Sequence, residues 1–177
     1  LVSCMTNDSG LNTSQNVTAP KLDEVSKRDF RWLNSSDPNY RCSVTIEKGA
    51  KPKKKESIVA EKLTSMGFDI GFLKPIGEPG KHTADATLNG VRWEFKQPVG
   101  DKTTRTIGKN NLDHQFEEAS KQSRRIVIDI TVIEEYESVG TSAAIAKSKE
   151  LFKGKWRESF DELLIFSSEG LIRYTNA

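Results

Sequence analysis

Ala84-Asp85-Ala86-Thr87-Leu88-Asn89-Gly90-Val91-Arg92-Trp93-Glu94-Phe95-Lys96 is the stretch on which the fold of this chain turns. Asn89-Gly90 stands between two alternating runs, the strongest short-range signal of a β-hairpin. A two-residue turn sets Leu88 opposite Val91, Thr87 opposite Arg92, Ala86 opposite Trp93 and Asp85 opposite Glu94. Side chains alternate faces along a strand. Ala84, Ala86, Leu88, Val91, Trp93 and Phe95 thus make an apolar face for the core. Asp85, Thr87, Arg92, Glu94 and Lys96 make a polar one. Carboxylates opposed across a ladder repel each other, so Asp85 and Glu94 call for positive charge beside them. A divalent metal held by both is one answer. Salt bridges to Arg92 and Lys96 are another, and an ordinary solvated face of mixed charge is a third.

Outward from the hairpin, Ile58, Val59, Leu63 and Met66 recur at helical spacing and Gly67 stops the helix. Phe68 to Leu73 reads as a strand, followed by a loop carrying Pro75, Gly77, Pro79 and Gly80. Beyond the hairpin, Gly100 to Asn110 is a long, basic, hydroxyl-rich loop. Leu112, Phe116 and Ala119 mark the inner side of a helix over 112–123. Ile126-Val127-Ile128-Asp129-Ile130 is a near-continuous apolar run typical of a strand covered on both faces. A helix over 142–153, with Ala144, Ile145, Leu151 and Phe152 inward, precedes strands at Leu163 to Phe166 and Leu171 to Tyr174. The expected fold is α/β (α+β), a central mixed sheet containing the hairpin at 84–96 and flanked by helices.

The first 24 residues are rich in Ser, Thr, Asn and Asp and read as a flexible leader. Gly49-Ala50-Lys51-Pro52-Lys53-Lys54-Lys55 reads as a solvated linker or a phosphate-contacting patch. We therefore divide the chain into a leader and linker over 1–50 and one domain over 51–177. Leu1-Val2-Ser3-Cys4 resembles a lipobox, but no apolar stretch stands before it in this sequence, and no lipid anchor is expected at Cys4. Cys4 and Cys42 read as incidental thiols, because no paired Cys/His spacing accompanies them. No apolar stretch approaches the length of a membrane span. With 27 basic and 25 acidic side chains the net charge is only +2, so any surface for nucleic acid must come from local clustering of cations.

Asp85, Glu94 and Lys96 resemble the PD-(D/E)XK nuclease pattern, in which an Asp on one strand and a Glu-x-Lys on the next hold a metal and a water. Glu56, on the first helix, matches that pattern's helical acid, whereas Ala84 stands where the pattern has Pro. In that resemblance Asp85 and Glu94 are metal ligands, with magnesium the implied ion. A second resemblance covers residues 56–175. The hairpin stretch, Thr106-Ile107, Gln115, Ala119, Lys121-Gln122, the run from Ile126 and the closing strands are similar to the CdiA C-terminal tRNA-nuclease family. Those domains end contact-dependent inhibition and other polymorphic toxins. Many such tRNases have the barnase–EndoU–colicin–RelE-like fold and cleave without metal. The two resemblances imply a nuclease core of one kind or the other, and they share the same residues.

The expected activity is that of a toxin-type ribonuclease cleaving tRNA. A metal-dependent PD-(D/E)XK DNase and a non-catalytic binding or immunity-type module are the competing readings. Without metal, the RNA 2′-hydroxyl attacks the adjacent phosphate, and the enzyme needs a base, an acid and cations. The candidate catalytic residues are Asp85, Glu94, Lys96, Thr106, His114 and Gln122, with His82 a weaker one. Arg92, Lys102, Arg105, Lys109, Arg124 and Arg125 are candidates for phosphate contacts. The implied partners are tRNA and a cognate immunity protein, and the implied site of action is the cytoplasm of a target cell.

Overall fold

The computed structural model of the chain describes residues 44–65, 68–75, 85–107, 111–136 and 139–176. Seven strands form one mixed sheet in which spatial order follows chain order: β1 (Val44–Ile46), β2 (Ile70–Phe72), β3 (Ala86–Leu88), β4 (Val91–Lys96), β5 (Arg125–Asp129), β6 (Glu162–Ser167) and β7 (Gly170–Thr175). Three of the six neighbouring pairs are parallel. A parallel pair needs a crossover, and each here has a helix to make it. Helix α1 (Lys54–Ser65) joins β1 to β2, α2 (Asn111–Ser120) joins β4 to β5, and α3 (Gly140–Lys153) joins β5 to β6. The other pairs are antiparallel.

The helices divide between the faces of the sheet. Val59, Ala60 and Leu63 of α1 share one core with Ile70, Trp93, Phe95, Val127 and Leu164. Leu112 and Phe116 of α2 and Ala144, Leu151 and Phe152 of α3 share the other with Ile126, Ile128, Leu163 and Ile165. The apolar runs of β5 and β6 are thus covered on both sides, as their composition requires. Ile145 is only partly buried. The fully buried Ser148 takes the inward position instead, its hydroxyl donating to the Ala144 carbonyl at 2.8 Å.

The hairpin has the expected register, with Ala86 opposite Trp93, Thr87 opposite Arg92 and Leu88 opposite Val91. Asn89 and Gly90 take φ of 48° and 83°, the left-handed pair that a tight hairpin turn demands. Two features of the expected faces change. Val91, assigned to the core, is 41% exposed, because it lies at the protruding tip. Glu94, assigned to a polar strand face, is 1% exposed. Strand β4 is the fourth of seven, with α1 below and α2 above, so neither of its faces is open to water along its middle.

Strand β1 lies in the region read as leader and linker. It pairs in parallel with β2, Val44 opposite Ile70 and Ile46 opposite Phe72. Beyond it, the Glu47 N–H donates to the Phe72 carbonyl at 3.0 Å, and the Glu47 carboxylate accepts the Lys74 N–H at 2.7 Å. The expected division at residue 50 therefore cuts off part of the sheet. A Cβ on Gly71, between β1 and β3, would stand 2.7 Å from Thr87 Oγ1 and 3.1 Å from Thr45 Oγ1. Glycine lets three strands meet there with threonines on both flanks.

A chain beginning at Lys51 is expected to be less stable than one beginning at Ser43 by about 1–3 kcal/mol, from lost ladder hydrogen bonds and the exposed edge of β2. Urea unfolding of the two chains measures this. Coincident midpoints would show that β1 adds nothing to the folded unit.

Candidate active site

The carboxyl end of β4 opens into a cavity of about 230 Å³ between the start of α1 and the inner face of α2. Glu94, Lys96, Asp85 and Glu56 all line it. In open α/β sheets, ligands collect outside the carboxyl ends of strands. Glu56 arrives there because its carboxylate also caps α1, accepting the Lys53 N–H at 2.7 Å. This is the acid's half of a capping box. Asp85 immediately precedes β3 and is tied across to β4 by the Phe95 N–H, which donates to Oδ2 at 3.1 Å.

Glu94 is the centre of the cluster. Its Oε1 lies 3.1 Å from the Lys96 ammonium; its buried Oε2 is offered no donor by backbone, amide or ammonium groups, and the carboxyl it meets is that of Asp85. Burial raises the pKa of Glu94 to about 8; the negative charge of Asp85 adds to the rise, and Lys96 partly offsets it. The Glu56 carboxyl is also raised, first by burial and then by Asp85, against the lowering effect of the Lys53 N–H bond. Burial and the charge of Asp85 thus both disfavour ionising Glu94 and Glu56. Among the described residues no three His, Cys, Asp or Glu side chains converge closely enough to enclose an ion.

Three glutamines complete the wall: Gln97 at the end of β4, Gln115 on α2 and Gln122 just after it. Gln115 comes from α2 itself, and Gln122 from the turn that follows Ser120, where its N–H donates to the Ala119 carbonyl at 3.0 Å. Gln97 is fixed from behind. Its Nε2 donates at 3.1 Å to Asp129 Oδ2, which also accepts the Lys62 ammonium at 3.0 Å. Asp129 Oδ1 accepts the N–H and hydroxyl of Thr131 at 2.9 and 2.6 Å. The fully buried Asp129 carboxylate is therefore saturated and acts as an anchor.

Of the expected site residues, Asp85, Glu94, Lys96 and Gln122 come together, with Glu56. The others do not line this cavity. His114 is on the outer side of α2, 60% exposed and 3.5 Å from Glu117. The Thr106 hydroxyl bonds that of Thr104 at 2.7 Å. Arg92 is exposed, and its carbonyl accepts the Ser123 hydroxyl at 3.2 Å. Arg124 and Arg125 do not line the cavity, although Arg125 directly precedes Ile126, the register partner of Glu94; their side chains are committed to acidic partners instead. Arg124 makes a two-pronged pair with Asp161 at 3.0 and 2.9 Å, and Arg125 bonds Glu162 at 3.0 Å. Lys109 and His82 lie outside the described residues.

The basic loop is folded against its neighbours rather than solvated along its length. Asp101 N–H donates to the Thr106 carbonyl at 2.8 Å, and Asp101 Oδ1 accepts the N–H groups of Thr103 and Thr104. Arg105 donates to the Glu135 carbonyl at 2.7 Å and lies over the Tyr136 ring. The Tyr136 hydroxyl donates to the Val99 carbonyl. Gly100, at φ 59°, touches both partners: a Cβ there would meet Thr106 O at 2.7 Å and the Tyr136 ring at 2.8 Å. Lys102 remains exposed on this turn.

The model of the contact-dependent growth inhibition CdiA C-terminal domain matches residues 81–172, from the approach to the hairpin into β7. The chain belongs to that family. It is a toxin domain of contact-dependent inhibition, of the kind delivered into target cells. A solved structure, the CdiA-CT/CdiI toxin and immunity complex from Burkholderia pseudomallei, is similar at a TM-score of 0.46 and 13% identity, over 75% of this chain and 98% of that one. No curated protein matches the sequence. Among the described residues of this CdiA C-terminal domain, no helix is long and apolar enough to cross a membrane.

The raised Glu94 pKa gives a pH test. Between 4.5 and about 8 the folded domain keeps a proton that the unfolded chain releases. The resulting stability is full below the unfolded value and lost as pH climbs through the folded one. In EDTA, the unfolding free energy of the wild-type domain should therefore fall from pH 5 to pH 8 more steeply than that of Glu94→Gln. Parallel curves for the two proteins would contradict the assignment.

Proposed function

We propose that this CdiA C-terminal domain is a nuclease that hydrolyses phosphodiester bonds, with tRNA as its substrate class. The observation that carries the reading is the meeting of Glu56, Asp85, Glu94 and Lys96 in one cavity, with a buried Glu94 oxygen that no backbone, amide or ammonium group serves. A module that only binds a partner has no use for crowded, buried carboxyls beside a lysine. The choice of tRNA rests on the family resemblance of the hairpin and α2 residues.

Asp85 and Glu94 would supply hard oxygen ligands for a divalent cation such as magnesium, and Glu56 lines the same cavity. When bound, such a cation supplies Lewis-acid polarisation of a phosphate oxygen and lowers the pKa of a neighbouring water. The chain's own contribution is positional. Lys96 gives one N–H to Glu94 and has two more for the attacking water or for charge gathering on the phosphate. Gln97, held by Asp129, and Gln115 and Gln122 offer neutral donors and acceptors along the wall. In the reaction the water oxygen bonds to phosphorus, one P–O ester bond breaks, and the leaving oxygen ends with a proton.

Of the groups expected to serve internal attack by the RNA 2′-hydroxyl, Glu94 and Lys96 line the cavity, whereas Thr106, His114, Arg124 and Arg125 do not; we take hydrolysis as the working mechanism, and the EDTA arm of the test decides between the two. The proposed partner in the producing cell is a cognate immunity protein that blocks the cavity or its approach.

The test incubates the purified domain with total tRNA and with plasmid DNA, each in EDTA and in magnesium. Cleavage of tRNA in magnesium only is expected. Glu94→Gln and Lys96→Ala should each lower the rate by about 100-fold or more, as removal of a transition-state contact does, with the fold intact by circular dichroism. Either variant retaining full activity would sink the reading. Activity that persists in EDTA would restore the 2′-hydroxyl route, and cleavage of plasmid alone would make the substrate DNA.

A further inference from the structure

The proposed nuclease reading leaves a charge problem. Phosphate is an anion, and the cavity contains three carboxyl groups. Cations must therefore flank it, and the arginines expected to do so are held elsewhere. Arg124 is paired with Asp161, and Arg125 and Arg173 with Glu162. Lys62 is committed to Asp129 and Lys155 to Asp113.

Two lysines are placed differently. Lys53 and Lys55 line the same cavity as Glu94 and Lys96. Among the described residues, neither closes a salt bridge. The stretch that carries them is anchored, not a solvated linker. Gly49 turns the chain at φ 92°, the Ala50 N–H donates to the Glu47 carbonyl at 2.8 Å, and Ala50 packs against the α1-side core. Pro52 then restricts the backbone just before Lys53. The lysines thus stand on a fixed support at the start of a 12-residue helix, whose first-turn N–H groups and dipole add positive potential. Together with Lys96 they set three cations against Glu56, Asp85 and Glu94. The buried Glu94 oxygen that no backbone, amide or ammonium group serves lies in this same cavity.

We propose that Lys53 and Lys55 form the phosphate-binding rim of the active site and hold the backbone of the nucleic-acid strand being cut. The substrate strand then crosses the mouth of the cavity over the start of α1. These contacts position the strand without reading its bases, so they act alike on different tRNAs. This inference rests on the nuclease reading, and its test separates the two.

The measurement is binding of total tRNA, and separately of duplex DNA, to a cleavage-dead Glu94→Gln parent across a potassium chloride series. Adding Lys53→Gln and Lys55→Gln should weaken binding at least tenfold at low salt and lower the log–log salt slope by about one to two units, at slightly under one unit per phosphate contact. Lys53→Arg with Lys55→Arg should keep the parent slope. Lys147→Ala, on the exposed side of α3, should leave affinity and slope unchanged. Should the double glutamine variant melt early, Lys55→Gln alone carries the test, with about half the slope change. A folded lysine variant with the parent slope, while the parent binds normally, overturns this inference and leaves the nuclease reading standing. A parent that binds neither tRNA nor DNA overturns both. A slope change seen with one nucleic acid and not the other supports the rim and names its substrate.

Discussion

Everything at this site follows from putting a glutamate in the middle of a sheet. Glu94 lies on a central strand covered on both faces, with a carboxylate neighbour at Asp85 and a lysine two residues on. Burial disfavours its charge, Asp85 disfavours it further, and Lys96 compensates only in part. A residue in that position is tolerated when the group it faces changes during function. In the proposed reading that change is the arrival of a divalent cation and a phosphate.

The topology explains how such a cluster forms in so small a domain. Three antiparallel strands, β2 to β4, bring Asp85 beside Glu94 through a tight turn. The parallel pair β4–β5 then requires a helical crossover, and α2 with the turn after it brings Gln115 and Gln122 to the cavity. The crossover before β2 delivers the start of α1, and with it Glu56 and the lysines, to the same mouth. Asp129 at the end of β5 closes the arrangement by pinning Gln97 and Lys62.

What the sequence disclosed, and what it concealed, follows range. The Asn89-Gly90 turn dictates register over its nearest neighbours, so the Asp85–Glu94 opposition was readable from one stretch. The apolar runs of β5 and β6 announced strands covered on both faces. Strand β1 has only three residues, too few to show a period, and exists because β2 offers it an edge. Alternation assigned Glu94 to a face but could not tell that α2 covers it. The commitments of Arg124 to Asp161 and of Gln97 to Asp129 join residues 37 and 32 positions apart. No local pattern reports them. For that reason the arginines looked available for phosphate, while Lys53 and Lys55 read equally as linker or as phosphate patch.

The central claim is that Glu94 is held largely uncharged until a cation reaches it. Carbon-13 NMR of the glutamate side-chain carboxyls, with Glu94→Gln to assign the signal, reads this directly. The account predicts a Glu94 midpoint near 8 without divalent ions and a fall to well below neutrality in saturating magnesium. A midpoint in the ordinary carboxylate range, unmoved by magnesium, would contradict it.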